Sequence, residues 1–207
     1  MRLNRLFLFV PLLLIAGAHA QNLTTVGIPT DEFDFVASTQ QAREWCWAAS
    51  TQMVLNWFDV DVRQADLVRR IKGRIVDQSA TERDIDQALN GTVTLRSGKS
   101  ATIHAVSVSG PADPQLIIKQ LSQQNPMLLA VNTGPRSGHV CVLTAVRYHE
   151  TRQGPHIDSL IVRDPYPSAD NIRNQGRVEI SGPALTDFVC CISRSWMIHV
   201  SGTSPRH

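Results

Sequence analysis

The stretch QQAREWCWAAS, residues 40–50, constrains the fold of this chain more than any other segment. Apolar or small side chains recur from Cys46 at spacings of three and four residues, which places them on one face of a helix that begins near Cys46. The small residues Ala48, Ala49 and Ser50 make its first turns slim. The sequence therefore predicts a cysteine at the amino end of a helix that packs closely against another element.

The first half of the chain has helical periodicity and the second half mostly has the alternation of strands. Further helices are predicted over residues 64–72, 81–89 and 113–124. Strands are predicted over residues 102–108, 127–131, 140–147, 159–163, 177–180 and 192–200. This order predicts an α+β fold, in which an N-terminal helical lobe packs on a C-terminal antiparallel β-sheet. No Pro- or Gly-rich linker separates the halves, so residues 40–207 are predicted to form one domain, preceded by an extended N-terminal segment at 21–39.

The first twenty residues are typical of a signal peptide that is removed on export. Arg2 and Arg5 form a basic start, residues 6–15 form an apolar run, and Ala18-His19-Ala20 fits a cleavage site. The apolar run is too short to span a membrane, which takes about 20 residues. The mature protein is predicted to begin near Gln21, in the periplasm or outside the cell, without a membrane anchor.

The charge of the predicted mature chain argues against a nucleic-acid partner. The whole chain has 20 Lys and Arg side chains against 18 Asp and Glu, and removal of Arg2 and Arg5 makes the two numbers equal. No basic run interleaved with aromatic residues is present. The oligomeric state stays open.

Four cysteines remain in the oxidising setting that export implies: Cys46, Cys141, Cys190 and Cys191. If Cys46 stays free, at most one disulfide can form, between Cys141 and one of the adjacent pair. The alternative is that all three are small buried apolar residues. No Cys-x-x-Cys pair or His-x3-His spacing indicates a zinc site. Five other histidines are predicted to be structural or solvent-exposed: His104, His149, His156, His199 and His207.

Two downstream motifs supply partners for the thiol of Cys46. His139 lies in Gly138-His139-Val140 on a predicted strand, and both faces of that strand are apolar, so it should be central and rigid. Asp164 ends the next strand, before Pro165. If the two strands form a hairpin that turns through residues 150–154, residues whose numbers sum to about 303 lie opposite each other, and His139 and Asp164 meet this condition.

These three residue types fit acyl transfer to a thiol. A helix N-terminus favours the thiolate, the imidazole can act as base and then as acid, and the carboxylate can orient the ring. An oxyanion donor is also available: Gln40, six residues before Cys46, can offer its side-chain amide beside the backbone N–H of Cys46. Gln41 competes for this role, and we favour Gln40.

The combination of Gln40-x5-Cys46-Trp47-Ala48-Ala49 with Gly138-His139-Val140 and Val162-x-Asp164-Pro165 resembles the bacterial papain-like cysteine peptidases. These include secreted effector proteases and, more distantly, the leader-cleaving peptidase domains of bacteriocin exporters. The resemblance covers the chain from about Gln40 to Asp164. It implies a papain-like fold with a sheet or half-barrel, hydrolysis of peptide bonds in a protein or peptide substrate, and no cofactor or metal. It also implies Cys46 as nucleophile, His139 as base, Asp164 as orienter and Gln40 as oxyanion residue.

The sequence departs from plant papain in three respects. Cys-Gly-Ser does not precede the nucleophile, the interval from Cys46 to His139 is shorter, and the third member is Asp rather than Asn. These departures indicate a compact bacterial branch. Two other functions remain open at this point. One is a cell-wall amidase or transpeptidase on the same fold, and the other is a catalytically silent binding module.

Overall fold

The computed structural model describes residues 22–135 and 137–201. The predicted signal peptide, residues 1–20, and His207 lie outside the described residues. Within them the helices are α1 Thr30–Asp34, α2 Cys46–Trp57, α3 Gln64–Lys72, α4 Glu82–Ala88, α5 Pro114–Ser122, α6 Ala169–Arg173 and α7 Pro183–Cys191. The strands are β1 Thr24–Gly27, β2 Gly91–Thr94, β3 Ser100–Ser109, β4 Met127–Gly134, β5 Ser137–Thr151, β6 Gly154–Arg163, β7 Arg177–Ser181 and β8 Ile192–Val200.

The strands form one antiparallel sheet in the order β2-β3-β8-β4-β5-β6-β7, and β1 pairs with β5. The predicted α+β fold is confirmed. Helices α2, α3 and α4 come from the first half of the chain, as predicted. None of the helices within the described residues is long and apolar enough to cross a membrane.

Two apolar cores lie on opposite faces of the sheet. One lies under α2–α4 and includes Trp47 and Trp57, and the other lies under α5 and includes Leu121. Adjacent residues of β5 divide between them, since Val142 belongs to the first core and Leu143 to the second. Strand β5 is therefore buried on both faces, and the prediction of a central strand is confirmed.

The local signals for helix ends are present in the structure. Thr81 and Asp84 form a capping box at the start of α4, in which the Thr81 side chain accepts from the Asp84 N–H and the Asp84 carboxylate accepts from the Thr81 N–H. Helix α3 has the predicted bounds and ends at Gly73, whose φ of 75° is the left-handed conformation that a glycine adopts easily.

Several elements differ from the sequence expectations. The segment 21–39 is not simply extended, because it contains β1, which pairs with β5, and the short helix α1. Cys190 and Cys191 end helix α7 rather than lie on a strand, and both are exposed. Only Cys141 is the small buried residue that was expected, and the four cysteines, all within the described residues, are free.

Candidate active site

Cys46 is the first residue of α2 and is half-buried. The first N–H groups of a helix have no partners within it, so the thiol lies beside free donors and the positive end of the helix dipole. Ala48 and Ala49 are fully buried, and the Ser50 hydroxyl donates to the carbonyl of Val140 at 2.9 Å. The slim start of α2 thus packs on β5, and the strand that carries His139 is tied to the helix that carries Cys46.

The tryptophans on either side of Cys46 fix the loop that follows α3. The indole N–H of Trp45 donates to the carbonyl of Val76 at 2.8 Å, and that of Trp47 donates to the carbonyl of Gln78 at 3.1 Å. Both rings are buried in the first core, and Trp47 also lines a cavity next to Cys46. These contacts attach the N-terminal end of α2 to the loop that follows α3.

The structure brings His139 together with both predicted partners. Nε2 of His139 lies 2.7 Å from Oδ1 of Asp164, and the imidazole lies close enough to Cys46 for that side chain to affect its pKa. Burial disfavours the charged imidazolium, but the hydrogen bond to Asp164 and the interactions with the charges of Asp164 and Cys46 outweigh it and raise the pKa of His139 to about 9. The ring is therefore protonated at neutral pH and can balance a thiolate.

Asp164 is ionised in the same arrangement. Burial alone would raise the pKa of its carboxyl group. The hydrogen bonds from His139 and from the Tyr166 N–H at 2.8 Å, with smaller contributions from the charge of His139 and from the Asn171 side chain, lower that pKa below its usual value instead. A carboxylate with these two donors keeps its charge and its orientation toward the ring.

Gln40 is buried and lines the same cavity as Cys46, His139 and Asp164, whereas Gln41 lines only a neighbouring depression. The amide nitrogen of Gln40 donates to the carbonyl of Ala42 at 3.0 Å and to that of Arg43 at 2.6 Å. Both amide N–H groups are thus used to shape the turn before α2. The oxyanion role of Gln40 stays a prediction, and it requires one of these bonds to give way to substrate.

A groove passes over the pair of Cys46 and His139. Cavities of about 470 and 480 Å³ open on its two sides and share both residues in their walls. Residues 79–82 and 130–132 line one side, and Gln40, Asp164 and Tyr166 line the other. An extended peptide can therefore pass the thiol with side chains accommodated before and after the reacting bond.

The profile of the papain-like cysteine protease AvrRpt2 family matches residues 29–175, which include Gln40, Cys46, His139 and Asp164. The chain belongs to this family. It is a papain-like cysteine peptidase, a hydrolase that acts on protein or peptide substrates. No curated protein is significantly similar in sequence.

Two solved structures are similar to this peptidase. The peptidase domain of Streptococcus ComA, a bi-functional ABC transporter involved in a quorum-sensing pathway, aligns with a TM-score of 0.52 and 17% identity, over 82% of this chain and 97% of that one. The recombinant stem bromelain precursor aligns with a TM-score of 0.46 and 13% identity, over 84% of this chain and 74% of that one. The likeness to the ComA domain supports the fold alone.

Two residues that sequence reasoning missed hold Asp164 in this peptidase. The Asp164 N–H donates to the carbonyl of Gly176 at 2.7 Å, and the Gly176 N–H donates to the carbonyl of Asn171 at 2.6 Å. Gly176 has a φ of 73°, and a Cβ there would lie 2.4 Å from the Asp164 carbonyl oxygen. The only sequence signal was the Gln175-Gly176 pair before β7, which is typical of a turn.

The predicted hairpin register needs a correction. Residue numbers of paired positions in β5 and β6 sum to 305 or 306 rather than 303, because the turn lies at residues 152–153 and two irregularities shift the ladder. The ladder ends at Val142 and Arg163, so His139 and Asp164 do not pair directly as strand residues. Asp164 follows the last paired residue of β6, and its side chain still reaches the ring.

Proposed function

We propose that this peptidase is an exported endopeptidase that cleaves peptide bonds through Cys46, His139 and Asp164. The observation that carries the proposal is the placement of His139, whose Nε2 lies 2.7 Å from Oδ1 of Asp164 and which lines both cavities of the groove together with Cys46. A base held between a nucleophile and an orienting carboxylate is the arrangement that acyl transfer requires.

In the first half of the reaction, the Cys46 thiolate attacks the carbonyl carbon of the scissile bond. The carbonyl oxygen becomes an oxyanion close to the N-terminus of α2, where the Cys46 N–H can donate to it. The intermediate then collapses, the C–N bond breaks, and the His139 imidazolium gives its proton to the departing amine. A thioester on Cys46 remains.

In the second half, neutral His139 takes a proton from a water molecule as that water attacks the thioester carbonyl. The C–S bond breaks, the carboxylic acid product leaves, and Cys46 and His139 return to the thiolate and imidazolium forms. Asp164 keeps the ring aligned through both halves and stabilises its positive charge. No cofactor takes part in this sequence of steps.

Gln40 is the proposed side-chain donor to the oxyanion. Its position in the wall of the cavity beside Cys46 supports this role, and so does the absence of Gln41 from that wall. The bonds of its amide to the Ala42 and Arg43 carbonyls mean that Gln40 also fixes the turn before α2. One of its N–H groups would exchange a backbone carbonyl for the oxyanion as the intermediate forms.

Export rests on the composition of residues 1–20, with Arg2 and Arg5 before an apolar run and Ala18-His19-Ala20 after it. The full chain expressed with a bacterial export pathway should yield an extracytoplasmic protein whose N-terminus is near Gln21. Mass measurement of the isolated protein checks this, and a cytoplasmic protein that retains residues 1–20 would contradict it.

Digestion of an unbiased peptide library tests the activity. The mature protein should cut library peptides within their sequences, and Cys46→Ala should cut none while it retains the parent's circular dichroism and melting temperature. Equal cleavage by Cys46→Ala would reject the role of the thiol. Turnover of purified cell-wall peptide stems, with every library peptide left intact, would reassign the enzyme to wall amides.

A further inference from the structure

A second group of potential ligand atoms lies at the other end of the hairpin formed by β5 and β6. His149 Nδ1 is 2.7 Å from Oδ2 of Asp158, and His156 Nδ1 is 3.7 Å from Oδ1 of the same carboxylate. The two imidazole rings have their centroids 5.0 Å apart. One ligand atom from each of the three residues lies within 4.8 Å of the other two.

The backbone of the hairpin explains why these side chains converge. His149 and His156 are directly opposite each other in the antiparallel ladder, so their side chains leave the same face of the ribbon. Asp158 lies two residues beyond His156. It is the extra residue of an irregularity in the ladder, because Tyr148 pairs with Ile157 and Arg147 pairs with Ser159. A bulge re-aims the side chain that it carries, and here the carboxylate turns toward the imidazoles.

We propose that His149, His156 and Asp158 form a binding site for a divalent transition metal, with Zn²⁺ as the ion that fits best. Two imidazole nitrogens and one carboxylate oxygen are a common set of three protein ligands for Zn²⁺, and water fills the fourth position. The set offers too few oxygen atoms for Ca²⁺ or Mg²⁺. The site is distinct from the proposed catalytic machinery.

The ligand atoms must move by up to about 1.5 Å to admit the ion, because tetrahedral zinc with bonds of about 2.0–2.1 Å separates its ligand atoms by about 3.3 Å. His149 Nδ1 lies 2.7 Å from one oxygen of Asp158, His156 Nδ1 lies 3.7 Å from the other oxygen, and the three ligand atoms lie within 4.8 Å of one another. Rotation of the His156 side chain supplies this movement. The His156 side chain is 64% exposed and free to rotate, whereas His149 is only 12% exposed and provides a fixed ligand.

The site is remote from the thiol. His149 lies ten residues after His139 on β5, and a strand rises about 3.4 Å per residue, so the Cα atoms of the two histidines lie about 34 Å apart along the strand. A metal ion at the hairpin tip cannot contact Cys46. It would instead link the ends of β5 and β6 next to the turn that joins them. Because the ion binds the folded chain, it would stabilise the folded state.

The chain contains a matched control for the proposal. His104 on β3 and His199 on β8 are also directly opposite each other, and both are exposed. Within residues 22–135 and 137–201, no third potential ligand joins that pair. Binding that depends on Asp158 therefore distinguishes a three-ligand site from the affinity of any exposed pair of histidines.

The test is isothermal titration of ZnCl₂ into tag-free mature protein that carries Cys46→Ala, which removes the active-site thiolate as a competing ligand. We expect one tight site per chain. Asp158→Asn, His149→Gln and His156→Gln should each weaken it at least about tenfold, and His104→Gln should leave it unchanged. Zn²⁺ should also raise the melting temperature of the parent more than that of Asp158→Asn.

His156→Gln protects the test against misfolding, because this exposed side chain can change without disturbing the core. Absence of Zn²⁺ binding by the parent would overturn the proposal. So would tight binding that survives both His156→Gln and Asp158→Asn, or that is lost with His104→Gln. Cleavage by the enzyme without Cys46→Ala is measured separately, so the outcome for the metal site does not depend on the proposed catalytic function.

Discussion

Two pairs of histidine and aspartate lie at opposite ends of the same ribbon of β5 and β6, with the same 2.7 Å contact. At one end His139 contacts Asp164, and at the other His149 contacts Asp158. What differs is the third group. His139 lies beside a half-buried cysteine at the start of a helix, whereas His149 has a second imidazole, His156, across the ladder. A pair of histidine and aspartate alone does not define a chemistry, and we propose that the neighbouring group decides whether the imidazole serves a nucleophile or a metal ion.

The two carboxylates are also held differently. The Asp164 carboxylate accepts from the Tyr166 N–H, and the Asp164 backbone N–H donates to the carbonyl of Gly176. The Asp158 carboxylate points toward the two imidazoles because Asp158 is the extra residue in an irregularity of the ladder between β5 and β6. The proposed catalytic end therefore has the more constrained carboxylate, as a site that must align three groups requires, whereas the proposed metal site at the hairpin tip includes the exposed side chain of His156, which can adjust.

The largest difference in peptide cleavage is expected between the variants His139→Gln and His149→Gln. His139→Gln removes the acid and base of both halves of the reaction, and we expect peptide cleavage to fall by about 10³-fold or more. His149→Gln should have an effect on cleavage at least about 100-fold smaller. Steady-state assays on one library-derived peptide measure both. Similar losses for the two variants would mean that the ends of the ribbon are not functionally separate.

Asp164→Asn should lower cleavage by about 100-fold, because the amide can still orient the ring but no longer stabilises its charge. It should also change the pH dependence. The pKa of His139 is raised to about 9, so the imidazolium is present below that pH and cleavage should fall as the pH rises through about 9. Loss of the carboxylate lowers this pKa and moves the alkaline limb to lower pH.

Asp158→Asn is the matched control for the pH dependence of cleavage by Asp164→Asn. It removes the same charge from the other end of the ribbon, about 30 Å away, where screening by salt leaves no influence on His139. A pH–rate profile of each variant makes the comparison. If Asp164→Asn kept the alkaline limb of the parent, the assignment of that limb to His139 and Asp164 would be wrong.

A smaller effect is expected from two glycine substitutions. Gly176 and Gly154 both have positive φ, 73° and 112°, so alanine is strained at either position and should lower the melting temperature. Only at Gly176 does the new Cβ meet the backbone of Asp164, at 2.4 Å, whereas at Gly154 it meets the flexible end of Gln115 at 3.4 Å. Gly176→Ala should therefore lower cleavage by about tenfold through displacement of Asp164, and Gly154→Ala should not. Equal cleavage rates for the two variants would contradict this account of how Asp164 is held.

The sequence predicted most of the fold because its signals are local. Helix α3 has the expected bounds, since Leu67 and Ile71 mark one face and Gly73 ends it. The elements that were missed lack such signals. Strand β1 depends on pairing with residues 145–148, far along the chain, and α7 has no buried residue to give it a periodic pattern.

The same distinction applies to the site. Cys46, His139 and Asp164 each lie at or near the end of a helix or strand that the sequence predicts, and the structure brings them together to line one cavity. Asn171 and Gly176 support Asp164 through contacts made after the chain folds back by way of α6, which no local pattern encodes. The histidines at the hairpin tip carried no sequence signal either, because their convergence depends on the ladder register and on the irregularity at Asp158.

We propose that Cys46 is the reactive thiol of this peptidase and that His139 activates it. A time course of alkylation by iodoacetamide, with each cysteine followed by mass spectrometry, tests this role most directly. Cys46 is half-buried, Cys141 is buried, and Cys190 and Cys191 are exposed, so accessibility alone would favour the last two. We predict that Cys46 is alkylated first and that cleavage is lost in parallel. Alkylation of Cys46 no faster than that of Cys190 and Cys191, or cleavage that persists once Cys46 is fully modified, would contradict the account.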